Sequence, residues 1–363
     1  MKQNLQEMKK DLALLEELTL LSGVSGMEKP VRKYMEKELS KIANVTLRDH
    51  LGSIAFEFTG AAKCPKILIC GHMDEIGFMV HSISSKGLLN FTNLGGWDPR
   101  TLMSSAVKII NKDGKEVFGL IGSVPVHHLR DTTGKLSLED MYIDIGAESD
   151  KEVRDVFKVE KGNFIVPIPN FNIIKEKNIM VSKAFDDRVG VAVAISAGKH
   201  FQNKKHPNTL VCAGSVQEEV GTRGAQTVAQ LVKPDLAIVL EGAPGDDFPS
   251  NREESQAKMN SGVQLRMIDP TMIANPIFTE FTIQTAKDLK IPIQIAVRKS
   301  GGTDAGKIHT SNIGVPSIVL AAPVRYAHSH NGMLSMSDYK AMKDLVFALI
   351  ERLDRKVLSR IID

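Results

Sequence analysis

Hydrophobic positions change their spacing along this chain, and each change marks a different kind of element. Across residues 4–21, Leu5, Met8, Leu12, Leu15 and Leu18 recur at three- and four-residue steps, predicting an amphipathic helix docked on a core. Ser22-Gly23-Val24-Ser25-Gly26 ends it. A second helix is predicted from about Glu28, with Pro30 in its first turn and Val31, Tyr34, Met35 and Leu39 on one face. Residues 45–49, 53–58 and 66–70 read as strands, the last apolar almost throughout, as a strand buried on both faces should be.

After about Glu75 the pattern becomes one of short strands, at 76–83, 106–110, 117–121, 142–145 and 164–167. Turn signals such as Lys86-Gly87, Asn111 to Gly114 and Lys161-Gly162 separate them, with at most short helices near Glu139 and Glu152. Such a run predicts a small β-barrel-like domain inserted into an α/β domain. From Ile179 strand and helix alternate again: helix at 187–200, strand 209–216, helix 223–232, strand 235–240, helix 276–289 capped by Asn275, strands 291–297 and 316–320. A final helix at 339–353 carries Met342, Leu345, Val346, Leu349 and Leu353 as its apolar stripe. The expected fold is therefore α/β, a mixed-sheet domain at 1–75 and 179–363 with a β-rich, barrel-like domain inserted at 76–178.

Composition narrows the partners. The chain has 363 residues and a formal charge of only +3, with no basic run carrying interleaved aromatics, which argues against nucleic acid. No apolar stretch is long enough to span a bilayer, and the amino terminus has no signal-type apolar core, so no membrane partner and a cytoplasmic location are expected. Cys64, Cys70 and Cys212 show no metal-type spacing and read as reduced packing residues.

The candidate chemistry centres on Glu218-Glu219, at the end of the apolar run 209–216 and just before a helix. The carboxyl ends of strands are where open α/β sheets place their ligands. Adjacent side chains of an extended chain point to opposite sides, so one carboxylate can bind a metal while the other faces a reacting water. Taken alone, Glu-Glu reads as a solvated surface pair. Its company is His72 with Asp74, Asp186 with Asp187, Glu241, and His328 with His330, each beside a strand-like run. Asp74 is read as a residue that orients the His72 ring from behind. Asp186 and Asp187 are both available to bridge two cations, against the plainer role of acidic residues in a first helical turn. Residue types alone do not choose between His328 and His330. Gly301-Gly302-Thr303-Asp304 reads as a turn and helix cap near the site, and His127-His128 as structural or exposed.

Gly71 to Phe78, Ala184 to Arg188, Glu218 to Gly221, Gly301 to Gly306 and Arg325 to Ser329 together resemble the dinuclear metallo-aminopeptidases that include glutamyl and tetrahedral aminopeptidases. The resemblance spans nearly the whole chain. It implies that Asp186 bridges two divalent ions, zinc foremost with cobalt or manganese as alternatives. His72 and Glu241 would complete one site, and Glu219 and His328 the other. Glu218 would be the general base for a two-metal activated water, Asp74 would orient His72, and peptides with a free amino terminus would be the substrates. An inserted domain used in assembly and a homo-oligomer, often a hollow dodecamer, are implied as well. Two positions depart from the family pattern. Glu241 stands where aspartate is usual, with Asp246 and Asp247 as candidate substitutes. Ser329-His330-Asn331 follows His328 where relatives tend to have proline and an acidic residue. The rival readings are a two-metal deacylase of amino-acid or amino-sugar derivatives, and a catalytically silent assembly protein of the same fold.

Overall fold

The computed structural model describes residues 2–124, 136–249 and 254–363; His127 and His128 lie outside the described residues. Twelve strands form one mixed sheet and six close a separate antiparallel barrel, so the expected α/β fold with a barrel insertion is the one observed. The sheet contains β1 (Val45–Arg48), β2 (Ile54–Thr59), β3 (Lys66–His72), β10 (Phe171–Ile174), β11 (Ile179–Ser182), β12 (Thr209–Ser215), β13 (Leu236–Pro244), β14 (Val263–Asp269), β15 (Met272–Ile273), β16 (Ile293–Val297), β17 (Ser317–Arg325) and β18 (Gly332–Ser335). The barrel contains β4 (Gly77–Ile83), β5 (Leu89–Leu94), β6 (Ala106–Ile110), β7 (Glu116–Gly122), β8 (Tyr142–Asp144) and β9 (Phe164–Pro167).

Parallel pairing runs from β12 through β3 and β13 to β17 at the centre of the sheet. These strands are buried along almost their whole length because helices cover both faces, which is why their sequences are continuous apolar runs rather than alternating ones. The register sets Ser215 beside His72 and Glu241 beside Ala321. All four strands therefore end on the same edge of the fold, and their last residues and following turns form one floor.

Helix α4 (Phe185–Phe201) is apolar on nearly every side, and it packs between the sheet and α1 (Lys2–Leu20), α2 (Lys29–Leu39) and α8 (Met336–Arg352). Its close approach to β3 depends on glycine: a Cβ on Gly71 would lie 2.7 Å from the backbone of Gly190 and 2.8 Å from Asp187 Oδ2. A fully buried ionic group ties this helix to the first domain segment. Glu75 pairs with Lys183 and, at 3.3 Å, with Arg188, while Arg188 also donates to the carbonyls of Leu18, Met73 and Gly23. Burial lowers the Lys183 ammonium to about 8 against the opposing pull of Glu75.

The barrel has its own apolar core, built from Phe78, Val80, Leu89, Val107, Ile109, Ile121, Ile143 and Ile165, with Trp97 stacked on Phe78 at 4.8 Å. Three strands have no clear hydrophobic signature. β5 is half polar and largely exposed on one face, β14 buries Gln264 and Arg266 among its apolar residues, and β10 is mostly exposed. β10 pairs with β11, so the large sheet resumes at Phe171.

Candidate functional site

His72 is the last residue of β3, where the parallel register carries it to the floor of the site. Its Nε2 lies 3.0 Å from Asp186 Oδ1, 3.8 Å from Glu241 Oε2 and 4.0 Å from Glu218 Oε2. Asp186 stands in the first turn of α4 and presents its other oxygen, Oδ2, to His328 Nε2 at 3.3 Å. Glu219 Oε1 approaches the same His328 nitrogen at 3.4 Å. Asp186 thus lies between two imidazoles, with Glu241 on the His72 side and Glu219 on the His328 side. His72, Asp186 and Glu219, and likewise His72, Asp187 and Glu241, bring ligand atoms within 4.8 Å of one another.

Supporting residues hold these side chains in place. Asp74 is fully buried and accepts from Ser25 Oγ at 2.6 Å, from the Glu218 N–H at 3.0 Å and from the Glu219 N–H at 3.1 Å. His72 Nδ1 donates to the Asp74 carbonyl at 3.0 Å and lies 3.5 Å from its carboxylate. Asp187 turns away from the cavity: one oxygen accepts from the His72 N–H and the other from the Gly190 N–H, each at 3.0 Å. His330 is also directed elsewhere, its Nε2 donating to Ala106 O of the barrel at 3.1 Å. Asp247 is engaged by Arg325, and Asp246 by Arg298 and the backbone of Gln256 and Ala257, so neither substitutes for Glu241. The Thr303 hydroxyl caps Ala305 N, while Asp304 is buried and accepts from Ser215 Oγ.

Charge sets the chemistry. Burial pushes the Glu218 carboxyl well above the usual range; His72 opposes the shift, and Glu241, Asp304 and Glu219 reinforce it. Burial likewise raises Glu219 to about 7 and Asp304 to about 6. For Asp186 burial is outweighed by the two histidines, which keep its carboxyl low. His328 is raised to about 10 because Asp186 and Glu219 overcome the cost of burying its charge. Glu241 Oε1 and Asp304 Oδ1 are buried without a hydrogen-bond partner. Buried carboxylates in excess of imidazoles need a compensating positive charge, and orphaned oxygens beside two ring nitrogens form a donor set suited to divalent cations. The residues present fit such ions.

The cluster opens into a cavity of about 600 Å³, bounded on its far side by Arg266, Arg298, Thr271 and the 300–303 turn. Sequence reasoning overlooked Ser25, Ser215 and Gly96. The first two are ordinary serines whose partners are distant in the chain, but Gly95-Gly96, beside a tryptophan, was a readable sign of close backbone approach.

Comparison with known proteins agrees with this layout. The family model described as M42 glutamyl aminopeptidase matches residues 52–345. The chain is 31% identical to the glutamyl aminopeptidase of Lactococcus lactis, over 95% of this chain and 97% of that one. Identity to the lysyl aminopeptidase of Pyrococcus furiosus is 29%, over 94% and 97%. Among solved structures, the TET aminopeptidase of the marine sediment archaeon Thaumarchaeota archaeon SCGC AB-539-E09 superposes with a TM-score of 0.93 at 39% identity, covering 97% of this chain and 99% of that one. The Pyrococcus horikoshii TET1 peptidase, which can assemble into a tetrahedron or a large octahedral shell, superposes with a TM-score of 0.83 at 29% identity, covering 94% and 100%. A family model spanning the barrel and most of the main sheet, together with a fold shared nearly end to end, places this chain in the M42 glutamyl aminopeptidase family, a family of peptide-cleaving hydrolases.

Proposed function

We propose that this chain is a two-cation aminopeptidase that removes amino-terminal residues from peptides, with Glu218 as general base. The observation that carries the reading is Asp186, whose two carboxylate oxygens face His72 and His328 separately. On this reading His72, Asp186 and Glu241 would hold one divalent ion, and His328, Asp186 and Glu219 the other. Such ions, when bound, supply Lewis acidity toward the scissile carbonyl and lower the pKa of water. Glu218 takes a proton from the attacking water and returns it to the departing amine, a task suited to a carboxylate made more basic by burial. Asp74 keeps the Glu218-Glu219 turn and the His72 ring in register. The carboxylates lining the cavity favour a substrate bearing a free, positively charged α-amino group.

Imidazole and carboxylate donors suit zinc first, with cobalt and manganese also compatible. The same reading divides the chain into a hydrolase unit, 1–75 and the later segment, and a barrel insertion from 76. The insertion on this reading is 76–178, and the return of strand pairing to the large sheet through β10 and β11 supports its ending there. It extends to this chain the homo-oligomeric assembly of its relatives, up to a dodecamer, and the exposed side chains of Ile273, Ile313 and Ile362 around one groove agree with such contacts. No described helix is long and apolar enough to cross a membrane, and the free thiols of Cys64, Cys70 and Cys212 accord with a cytoplasmic site of action.

The test is release of free amino acids from matched unblocked and amino-terminally acetylated peptides, using chelator-treated protein reloaded separately with zinc, cobalt and manganese. Metal-dependent release confined to unblocked peptides is expected. Cleavage of only the acetylated set would point to a deacylase, and inactivity with every metal to a silent assembly protein.

A further inference from the structure

Among the described residues, the barrel meets the His328 ring through the turn that follows β5. There Gly95 lies against Glu219 and Gly96 against the edge of the His328 ring: a Cβ on Gly95 would lie 2.4 Å from Ile76 Cγ2 and 3.1 Å from Glu219 Oε2, and one on Gly96 would lie 3.3 Å from His328 Nδ1. The Gly96 carbonyl is 2.9 Å from His328 Nδ1. A carbonyl can only accept, so Nδ1 carries a hydrogen, and Nε2, facing Asp186 and Glu219, is the nitrogen whose proton a cation would displace. The barrel thus selects the tautomer in which His328 can act as a ligand.

A second contact secures the same segment. His330, two residues on, donates from Nε2 to Ala106 O of β6, and its ring lies 5.5 Å from that of Trp97. Trp97 itself donates from Nε1 to Gly77 O at 3.2 Å and stacks on Phe78. The turn bearing His328 is therefore fastened to the barrel on both sides of Ser329. It needs fastening, because Tyr326 and His328 both adopt positive φ, +58° in each case, which a non-glycine residue holds only when its surroundings enforce it.

We infer that the barrel insertion is a working part of the metal centre, with Trp97 and His330 as positioning residues that hold His328 as a ligand. This rests on the two-cation reading above and goes beyond it, since that reading gives the insertion a role only in assembly. Neither Trp97 nor His330 faces the acidic cluster, so any effect of changing them on cation binding has to pass through His328.

The experiment is a cobalt(II) titration of the chelator-treated full-length protein, followed by visible absorption and calorimetry, on the parent and on Trp97→Ala, Trp97→Phe and His330→Leu. Circular dichroism of each variant checks the fold. The parent is expected to take two equivalents. Trp97→Ala and His330→Leu should keep one binding step unchanged and weaken the other by roughly 10- to 100-fold, the usual cost of losing an outer support of a ligand. Trp97→Phe, which keeps the ring stack, should restore most of that loss. If Trp97→Ala does not fold, His330→Leu carries the test, since leucine keeps the apolar volume and removes the hydrogen bond and the ring contact with Trp97. Two unchanged binding steps in a folded variant would overturn the inference while leaving the two-cation reading intact. A parent that binds fewer than two equivalents would overturn that reading, and the inference with it.

Discussion

The Glu218 backbone N–H donates to Asp74 Oδ1 at 3.0 Å, joining the turn after one central strand to the turn after its neighbour. Asp74 therefore does more than stand behind His72. It also fixes the direction in which the Glu218-Glu219 pair leaves β12. Asp74→Ala should lower kcat by about 10- to 100-fold with a smaller change in KM, because orientation is lost while the carboxylate base remains. Steady-state kinetics on an unblocked peptide would check it, and an equal rise in KM without loss of kcat would contradict it.

Glu218→Gln retains the shape of the side chain and removes its ability to accept a proton. We expect kcat to fall by about 10²–10⁴-fold, the range typical of general acid–base catalysis. Cation uptake should be nearly unchanged, because on the proposed reading this carboxylate is not a ligand and lies 4.0 Å from His72 Nε2. Calorimetric titration beside the rate measurement separates a base from a ligand.

Lys183→Met should destabilise the fold rather than the chemistry. Glu75 would lose one of its two buried cationic partners, keeping Arg188 and the Gly23 N–H. Removing one partner of a buried ion pair typically costs about 3–5 kcal/mol. Urea unfolding monitored by circular dichroism would show a lower midpoint with the slope unchanged.

Asp338 carries a pH dependence away from the site. Its carboxylate accepts from Asn260 N at 2.6 Å and Gly262 N at 2.8 Å, yet burial, with a smaller push from Asp247, raises it from 3.8 to about 6. The folded chain therefore holds this proton where the unfolded chain has released it. Its contribution to stability is greatest below about pH 4 and declines as pH rises to 6, by an amount on the order of 3 kcal/mol. Asp338→Asn should flatten that window in unfolding curves taken from pH 4 to 7, at the cost of leaving one buried N–H without an acceptor. A variant curve parallel to the parent would show that another group is responsible.

Much of this protein was legible in one dimension. The helical spacing of Leu12, Leu15 and Leu18, the apolar runs of β3, β12 and β13, and the loss of helical spacing after Glu75 all correspond to elements of the fold, because burial on one side or on both imposes a period on the chain. Five strands were missed: β15 and β18 are very short, and β5, β10 and β14 carry polar residues that face solvent or lie buried beside partners remote in sequence. Candidate chemistry was legible too, as acidic residues and histidines at strand ends, since short-range order places a residue at a strand end without reference to the rest of the fold.

What the sequence left open, packing decided. Asp186 rather than Asp187 faces the cavity because Asp187 is held by the N–H groups of His72 and Gly190; His328 rather than His330 does so because the barrel engages each ring through a different carbonyl. Spacing along the chain determines which side chains can share a face, whereas choosing between neighbours two residues apart or fewer depends on partners such as His72 for Asp187, Gly96 for His328 and Ala106 for His330, each more than a hundred residues away and brought within reach only by the folded chain.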